Sequence, residues 1–330
     1  MTVDQPENRP AFDPAIQTED IAFKSEEMIA CPKCTRQNPP NRLKCLYCAA
    51  TLDVARIAGV KPKRRKLEAW EKGWNVIVTS AADADIASAA SYLSVDPEHL
   101  TKLVVAAVPL PVARVEDETE AAVLADALSK LGFNCSVVSD ERLDPDKPFV
   151  RLSKIASAAC RVVLTDFNTQ ETIGFETGDL ALIVVGALET SKVDSLEKRR
   201  RGKETKVLDE TVTSTDETVI DLYTKTDPVG FRIQMTGFDF SCLGEDKGLL
   251  AAENMKLMIA MLQDIAPNAK VVTDHARIRH LLDDVWQIES RKEPQGLRRS
   301  GFAKQEFGTI ATTSNLSQFT KYSRMQWHLL

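Results

Sequence analysis

Two Cys-x-x-Cys pairs constrain this chain more than any other feature of its sequence. Cys31 and Cys34 form the first pair, Cys45 and Cys48 form the second, and ten residues separate the pairs. Each pair predicts a tight turn that directs both thiols at one point, so that four sulfur atoms meet in the tetrahedral shell that zinc prefers. Four thiolates leave no coordination position for water or a substrate, and the sequence therefore predicts one structural Zn2+ ion per chain. Iron is the alternative metal, and disulfide bonds are the alternative without a metal.

The residues around these cysteines resemble the rubredoxin-like zinc ribbons that occur in many bacterial proteins. The shared pattern is Cys-Pro-x-Cys, an Asn-Pro turn and a second Cys-x-x-Cys, and it is matched by Cys31, Pro32, Cys34, Asn38, Pro39, Cys45 and Cys48. Thr35 and Ala49 stand where this family often has glycine. Leu43 and Tyr47 are predicted to cover the metal. The resemblance implies a structural metal site, and the whole chain looks like a bacterial zinc-ribbon protein.

Length and composition predict an ordinary multidomain protein. A chain of 330 residues with 43% hydrophobic and 27% charged residues is long enough for two or three domains with their own cores. The formal net charge of -6 argues against a surface that binds nucleic acid throughout. No signal peptide is recognisable, and no apolar run is long enough to form a transmembrane segment. The sequence therefore predicts a cytoplasmic protein, in which Cys135, Cys160 and Cys242 are buried free thiols.

The chain divides by composition into six segments. An acidic tail at 1–27 is predicted to be disordered, because it has few large apolar side chains. The zinc ribbon follows at 28–54 and a basic linker at 55–73. A small α/β module is predicted at 74–145, a β-rich module with C-terminal helices at 146–287, and a docking tail at 288–330. The predicted fold class is therefore multidomain α+β.

The α/β module is predicted to have the order β-α-α-β-α-β. Asp83 opens the first helix, and Asp96 with Pro97 begins the second. The third helix is predicted from Glu116 to Leu131, with Gly132 as its C-cap. This order, in the segments NVIVTSAADADIASAASYL and ETEAAVLADALSKLGFNCSVV, resembles the C-terminal domain of the ribosomal stalk protein and the related ClpS-like fold. The resemblance implies a small sandwich that binds a partner, although the helix matching the lysine-rich helix of stalk domains is rich in Ala, Ser and Asp.

The β-rich module is predicted from a change to alternating periodicity between Phe149 and Phe240, which indicates six strands. The following segment GLLAAENMKLMIAMLQDI predicts a buried helix, because it is apolar on most faces. Antiparallel strands closed by one helix resemble pleckstrin-homology-like domains, which implies a second binding module. The tail after it contains Phe302, Phe319 and Trp327 among basic residues. It is predicted either to pack on the core as a hairpin or final strand, or to dock a partner.

Two basic segments are candidates for binding nucleic acid or another anion. The first contains Lys61, Lys63, Arg64, Arg65 and Lys66, and the second, at 197–206, contains Arg199, Arg200 and Arg201. Phosphate groups attract such clusters. The alternative is that they form a solvated linker and a mobile loop, which the lack of interleaved aromatic residues favours for the second segment.

Catalytic residues are not recognisable in this sequence, and none is predicted. It contains no phosphate-binding loop, dinucleotide-binding fingerprint or nucleophile elbow. His275 and His280 are five residues apart, which places them off a common helix face, and they are predicted to be surface or capping residues. Asp239, Ser241 and Cys242 are predicted to form a strand-to-helix turn.

These features together favour a zinc-binding adaptor that holds a protein partner. The alternative is a nucleic-acid- or ribosome-associated factor that uses the basic segments. A second alternative is an enzyme of an unrecognised type. Ionic strength separates the first two hypotheses, because phosphate contacts weaken steeply as salt increases.

Overall fold

The computed structural model describes residues 28–40, 42, 44–50, 52, 67–68, 70–158, 160–199, 206–226, 229–301 and 304–330. The chain divides into two compact units, Met1–Arg65 and Lys66–Leu330. Helices and strands are both abundant, so the fold class is α+β as predicted. The predicted disordered tail at 1–27 and most of the predicted linker at 55–73 lie outside the described residues. The finer domain boundaries stay predictions.

The first unit contains a short antiparallel ribbon with very little apolar surface to bury. Strand β1 (Ile29–Ala30) pairs with strand β2 (Gln37–Asn38). The buried hydrophobic residues of the described part of this unit are Cys31, Cys45 and Leu52. A core of this size does not hold a fold by hydrophobic burial alone, and such units depend on a metal or a cross-link.

A three-stranded antiparallel sheet and three helices begin the second unit. The elements are β3 (Trp74–Ala81), α1 (Ile86–Leu93), α2 (Pro97–Val105), β4 (Leu110–Val115), α3 (Glu118–Lys130) and β5 (Phe133–Ser139), with β3 in the centre of the sheet. Asp85, Asp96 and Asp117 cap the helices by accepting a backbone N–H from the first turn. Gly132 follows α3 with a φ of 89°, which glycine adopts without strain. The elements follow the predicted order, but α1 begins after Asp85 and not at Asp83.

A nine-stranded sheet forms most of the remaining unit. Its strands are β6 (Val150–Ala158), β7 (Arg161–Asp166), β8 (Thr172–Glu176), β9 (Leu180–Arg199), β10 (Lys206–Thr224), β11 (Phe231–Gln234), β12 (Lys270–Val272), β13 (Glu289–Gly301) and β14 (Lys304–Ser314). Their order is β13-β14-β9-β10-β11-β6-β7-β8, with β12 beside β9. The pairs β11 with β6 and β12 with β9 are parallel, and the other pairs are antiparallel. The C-terminal tail is therefore a hairpin in this sheet, which is the packing alternative of the sequence prediction.

The described residues of this unit form four further helices: α4 (Asp140–Leu143), α5 (Ala251–Ile265), α6 (His275–Ile278) and α7 (Leu316–His328). Helices α5, α6 and α7 pack on the nine-stranded sheet, whereas α4 packs against β5 and α7. Helix α5 lies at the position of the predicted buried helix, but the prediction that most of its faces are buried is wrong. One face, with Met255, Met258 and Leu262, belongs to a hydrophobic cluster, whereas Leu257 on another face is 38% exposed. Helix α7, which the sequence did not predict, buries Phe319 and Tyr322 in the other cluster. The last segment of the chain is thus part of the core.

The inner halves of β9 and β10 are buried on both faces. Leu182 and Val184 belong to the cluster that contains β3 and α7, whereas Ile183 belongs to the cluster around α5. Successive side chains of a strand point to opposite faces, so a strand covered on both sides requires the continuous apolar run seen here. Outside this core the pattern changes. At 189–195, 210–217, 289–295 and 308–314 every side chain is partly or fully exposed, so four strands continue there as a single layer.

A buried ion pair links β10, β11 and α7. Two guanidinium nitrogens of Arg232 donate to the two carboxylate oxygens of Asp221, each at 2.7 Å. Arg232 also donates to Thr320 Oγ1 at 3.1 Å, and its guanidinium carbon lies 4.1 Å from the centre of the Phe149 ring. Charges removed from water in this way require such partners, because an unpaired buried charge is very unfavourable.

Candidate metal centre

The four predicted ligands lie together in the first unit. The Sγ atoms of Cys31, Cys34, Cys45 and Cys48 all lie within 4.8 Å of one another. Cys31 and Cys48 are 3.5 Å apart at sulfur, and so are Cys34 and Cys45. Sulfur atoms in a tetrahedron at about 2.3 Å from a zinc ion are separated by about 3.8 Å. The donor set and its spacing therefore fit one structural zinc ion, and these four cysteines would hold it.

The two cysteine turns repeat the same backbone hydrogen bonds. In the first turn, the Cys31 N–H donates to Arg36 O at 3.0 Å, and Cys31 O accepts the Thr35 N–H at 2.9 Å. In the second turn, the Cys45 N–H donates to Ala50 O at 2.8 Å, and Cys45 O accepts the Ala49 N–H at 3.0 Å. The N–H two residues after each first cysteine also lies 3.4 Å from its sulfur. Donors of this kind stabilise thiolate character, which metal binding requires.

Thr35 and Ala49 complete these turns in a strained conformation. Their φ angles are 61° and 56°. The left-handed conformation is unfavourable by roughly 1–2 kcal/mol for a residue with a Cβ atom, whereas glycine adopts it with little strain. These are the positions at which the resembling family often has glycine. The turns therefore form despite their sequence, which is consistent with their being held by a bound metal.

Asn38 connects the two cysteine turns. Its Nδ2 donates to Arg36 O at 2.9 Å and lies 3.4 Å from Cys45 Sγ, while its Oδ1 accepts the Leu46 N–H at 2.8 Å. The side chain is fully buried. The sequence predicts Asn38 only as a turn former, and its place midway between the cysteine pairs was the available indication of a second role. Residues that orient ligands in this way tune metal affinity.

The thiols do not ionise equally without a metal. Burial acts to raise the pKa of Cys45, but hydrogen bonds from the backbone of Tyr47 and Cys48, and from Asn38, lower its pKa to about 6. For Cys34, the backbone N–H of Arg36 acts to lower the pKa, but burial and hydrogen bonding to the other thiols raise it to about 12. A divalent cation would supply the charge that allows all four sulfurs to be thiolates.

The residues predicted to cover the metal are arranged differently. Leu43 lies outside the described residues. Tyr47 is 55% exposed and therefore does not cover the site, and the neighbouring Leu46 is 51% exposed. Leu52, which is 3% exposed, packs with the cysteines instead. The guanidinium carbon of Arg36 lies 4.7 Å from the centre of the Tyr47 ring, which orients the ring at the surface.

The basic candidates lie almost entirely outside the described residues. This applies to Lys61, Lys63, Arg64, Arg65, Lys66, Arg200 and Arg201. Arg199 is the last residue of β9, and Lys206 is the first residue of β10. The predicted loop at 197–206 is therefore shorter than expected, because the two strands extend into it from both sides. Anion binding by these residues stays a prediction.

The histidines separate in the structure. His280 is exposed as predicted, whereas the prediction for His275 is wrong, because that side chain is fully buried. Its Nδ1 accepts the Ala187 N–H of β9 at 3.2 Å. β9 pairs with β12 at 182–184 and with β14 from 190 onward, and no described strand pairs with this edge of β9 between them. In this gap, Asn315 Nδ2 donates to Ala187 O and Asn315 Oδ1 accepts the Glu189 N–H. His275 thus replaces a missing strand neighbour, a role that its sequence spacing did not indicate.

Asp239 and the three cysteines outside the first unit lie in different local surroundings. Asp239 caps a turn by accepting the Ser241 N–H at 2.9 Å and its hydroxyl at 2.7 Å, which confirms the predicted turn. The prediction of a buried thiol is wrong for Cys160, which is exposed because it lies in the turn before β7, while Cys135 and Cys242 are partly buried.

Comparisons with known proteins add no relative. No protein-family model, curated protein or solved structure matches this chain. Among the described residues, no helix combines the length and hydrophobicity needed to cross a membrane.

Proposed function

We propose that this chain is a cytoplasmic zinc-binding adaptor that holds a protein partner and is not an enzyme. The observation that carries the proposal is a closed four-cysteine shell beside an exposed apolar pair, Leu46 and Tyr47. A shell of four thiolates has no position for a reacting group. The metal therefore fixes the shape of the ribbon, and the surface that it fixes does the binding.

The exposed pair has the chemistry of a protein-binding surface. Leu46 and Tyr47 are adjacent on the turn of the second cysteine pair, and each exposes about half of its surface. Arg36 stacks on the tyrosine ring and reduces its freedom. Tyrosine and arginine are enriched among the residues that dominate protein interfaces, and ordering before binding lowers the entropic cost. We infer a partner surface with an apolar pocket for these side chains.

The second unit would carry further binding modules. The order of β3 to β5 with α1 to α3 supports a module at 74–145 with a stalk-like or ClpS-like fold. The proposed similarity concerns the fold and not an activity. The antiparallel strands followed by α5 similarly support a pleckstrin-homology-like module at 146–287. Both families are expected to bind partners, which agrees with an adaptor.

Capture of partners by surface variants tests this proposal. The full-length zinc-loaded chain would be cross-linked in lysate of its source organism beside the double variant Leu46→Ala/Tyr47→Ala. Trp70→Ala is the matched control, because this aromatic residue is 80% exposed and lies in the second unit. We expect the double variant to keep its zinc and lose the proteins that the wild type and the control retain. Identical capture by all three proteins would contradict the proposal.

Nucleic-acid binding is the second candidate, and one observation favours it. Residues 28–52 contain Lys33, Arg36, Arg42 and Lys44 and no acidic residue. A cationic ribbon with an exposed tyrosine could contact phosphate and stack on a base. The test is the affinity for a single-stranded oligonucleotide as salt is raised. A steep loss of affinity that depends on Arg36 and Tyr47 would favour this candidate over the adaptor.

A further inference from the structure

The outer edge of β10 presents an extended backbone that can accept another strand. Strand β9 pairs with β10 along its length, but on the opposite side β11 pairs with it only at 219–222. No described strand pairs with that side of β10 at 211–217. Every side chain from 211 to 216 is exposed. The N–H and C=O groups that point away from β9 there form a template of about 23 Å for strand addition.

The two edges of this part of the sheet differ in their protection. On the far edge, β13 contains Pro294, which has no N–H, and its register shifts between 294 and 296 and again between 299 and 301. Proline and bulges are the devices by which proteins block pairing at an edge. Strand β10 has no proline and keeps a regular register from 209 to 223. Its segment Thr-Val-Thr-Ser-Thr also favours extended structure.

Charge indicates which strand this edge accepts. Residues 209–217 contain four acidic residues and no basic residue. Arg279 lies 3.5 Å from Asp216 but is shared with Glu189 at 3.3 Å, so these contacts leave the region acidic. Two copies of β10 paired antiparallel about Thr213 would place Glu210 opposite Asp216, and like charges directly opposite are unfavourable. Pro294 makes β13 of another copy an unsuitable partner as well.

We infer that β10 at 211–217 docks an extended segment of a partner protein, in which lysine or arginine residues flank β-branched residues. The segment would add one strand beside β10, main-chain hydrogen bonds would supply the affinity, and the acidic residues would select basic ends. This site lies in the second unit and does not depend on the ribbon surface proposed above.

Hydrogen exchange of the full chain tests the docking site. The probe is the synthetic peptide Lys-Val-Thr-Val-Thr-Val-Lys, and the control peptide has glutamate in place of each lysine. We expect the basic peptide to slow exchange in fragments that cover 209–217 and to leave fragments that cover 289–301 unchanged. The acidic peptide should protect neither. Protection by both peptides, or by neither, would overturn the proposal.

Backbone substitution in the peptide separates strand addition from side-chain attraction. The N–H groups of every second residue in a strand point to the same side. N-methylation of either the odd-numbered or the even-numbered residues of the peptide should therefore abolish binding, whereas the peptide methylated at the other set should still bind. Each lost main-chain bond lowers affinity on the order of 2- to 10-fold. If neither set of methylated residues weakens binding, or both do so equally, strand addition is refuted.

Matched charge variants locate the site on the protein. Glu210→Lys/Asp216→Lys should weaken binding of the basic peptide roughly fivefold or more. Glu289→Lys/Glu293→Lys makes the same change of charge on the β13 edge and should leave the affinity unchanged. The variant Leu46→Ala/Tyr47→Ala should bind this peptide like the wild type, so this test stands or fails independently of the ribbon surface. Self-association protecting β10 without peptide would assign the edge to a second copy and overturn the inference.

Discussion

His275 should make the stability of the second unit decrease as the pH is lowered. The imidazole is buried between β9 and α7, with ring centres 4.8 Å from Phe319 and 5.4 Å from Tyr322. Burial, together with the nearby charge of Arg279, lowers the pKa of His275 to about 3. The folded chain therefore keeps this imidazole neutral, while the unfolded chain exposes it to water.

The direction and size of the effect follow from proton linkage. An unfolded histidine has a pKa of about 6.5, so between pH 6.5 and pH 3 the unfolded state binds a proton that the folded state does not bind. Stability is therefore unaffected by this residue well above pH 7 and is lost as the pH falls below 6.5. With a folded pKa of about 3, the loss between pH 7 and pH 5 is about 2 kcal/mol.

Urea denaturation followed by tryptophan fluorescence measures this loss. All four tryptophans, at positions 70, 74, 286 and 327, lie in the second unit, so the signal does not report on the ribbon. The variant His275→Gln should lose about 2 kcal/mol less than the wild type between pH 7 and pH 5. The exposed His280 supplies the control, and His280→Gln should keep the wild-type dependence. A His275→Gln variant with the wild-type dependence would refute the reasoning.

Three substitutions test other parts of the structure. Gly186→Ala would place a Cβ atom 2.4 Å from the Phe319 ring and should destabilise the second unit by about 1–3 kcal/mol in urea denaturation, with Phe319→Leu restoring part of the loss. Asp221→Ala leaves Arg232 buried without its carboxylate and should cost about 3–5 kcal/mol in the same assay. Asn38→Ala should weaken zinc binding about 10- to 100-fold in a chelator competition, without changing tryptophan fluorescence.

Local features with a fixed chemical requirement could be predicted from the sequence. The cysteine spacing placed four sulfur atoms together, because a Cys-x-x-Cys turn has few alternatives. Asp96 before Pro97 predicted the start of α2. An aspartate side chain at this position accepts a backbone N–H of the first turn, and proline is tolerated as the first helical residue because its missing N–H is not needed there. One of the six strands predicted between Phe149 and Phe240 corresponds to the buried half of β9, but its burial on both faces was not predicted, because the strands were predicted from alternation and this one is a continuous apolar run.

Features that depend on distant partners could not be predicted. The outer halves of β9 and β10 are polar on both faces, so no periodicity marked them, and their extension depends on pairing with each other and with β14. The burial of His275 depends on a gap beside β9 that arises only in the assembled sheet. Helix α7 contains Lys321 and Arg324 among its apolar residues, and the core that it joins includes residues of β9 and β10, which lie more than ninety residues earlier in the chain.

Zinc coordination is the most direct test of the four-cysteine site. The metal content of the purified full-length protein would be measured by mass spectrometry, and X-ray absorption would count its ligands, beside the variant Cys31→Ser/Cys45→Ser. We predict one zinc ion per chain with four sulfur neighbours at about 2.3 Å in the wild type, and loss of the ion in the variant. A wild-type chain without zinc, or a zinc ion with oxygen or nitrogen ligands in place of sulfur, would contradict the assignment.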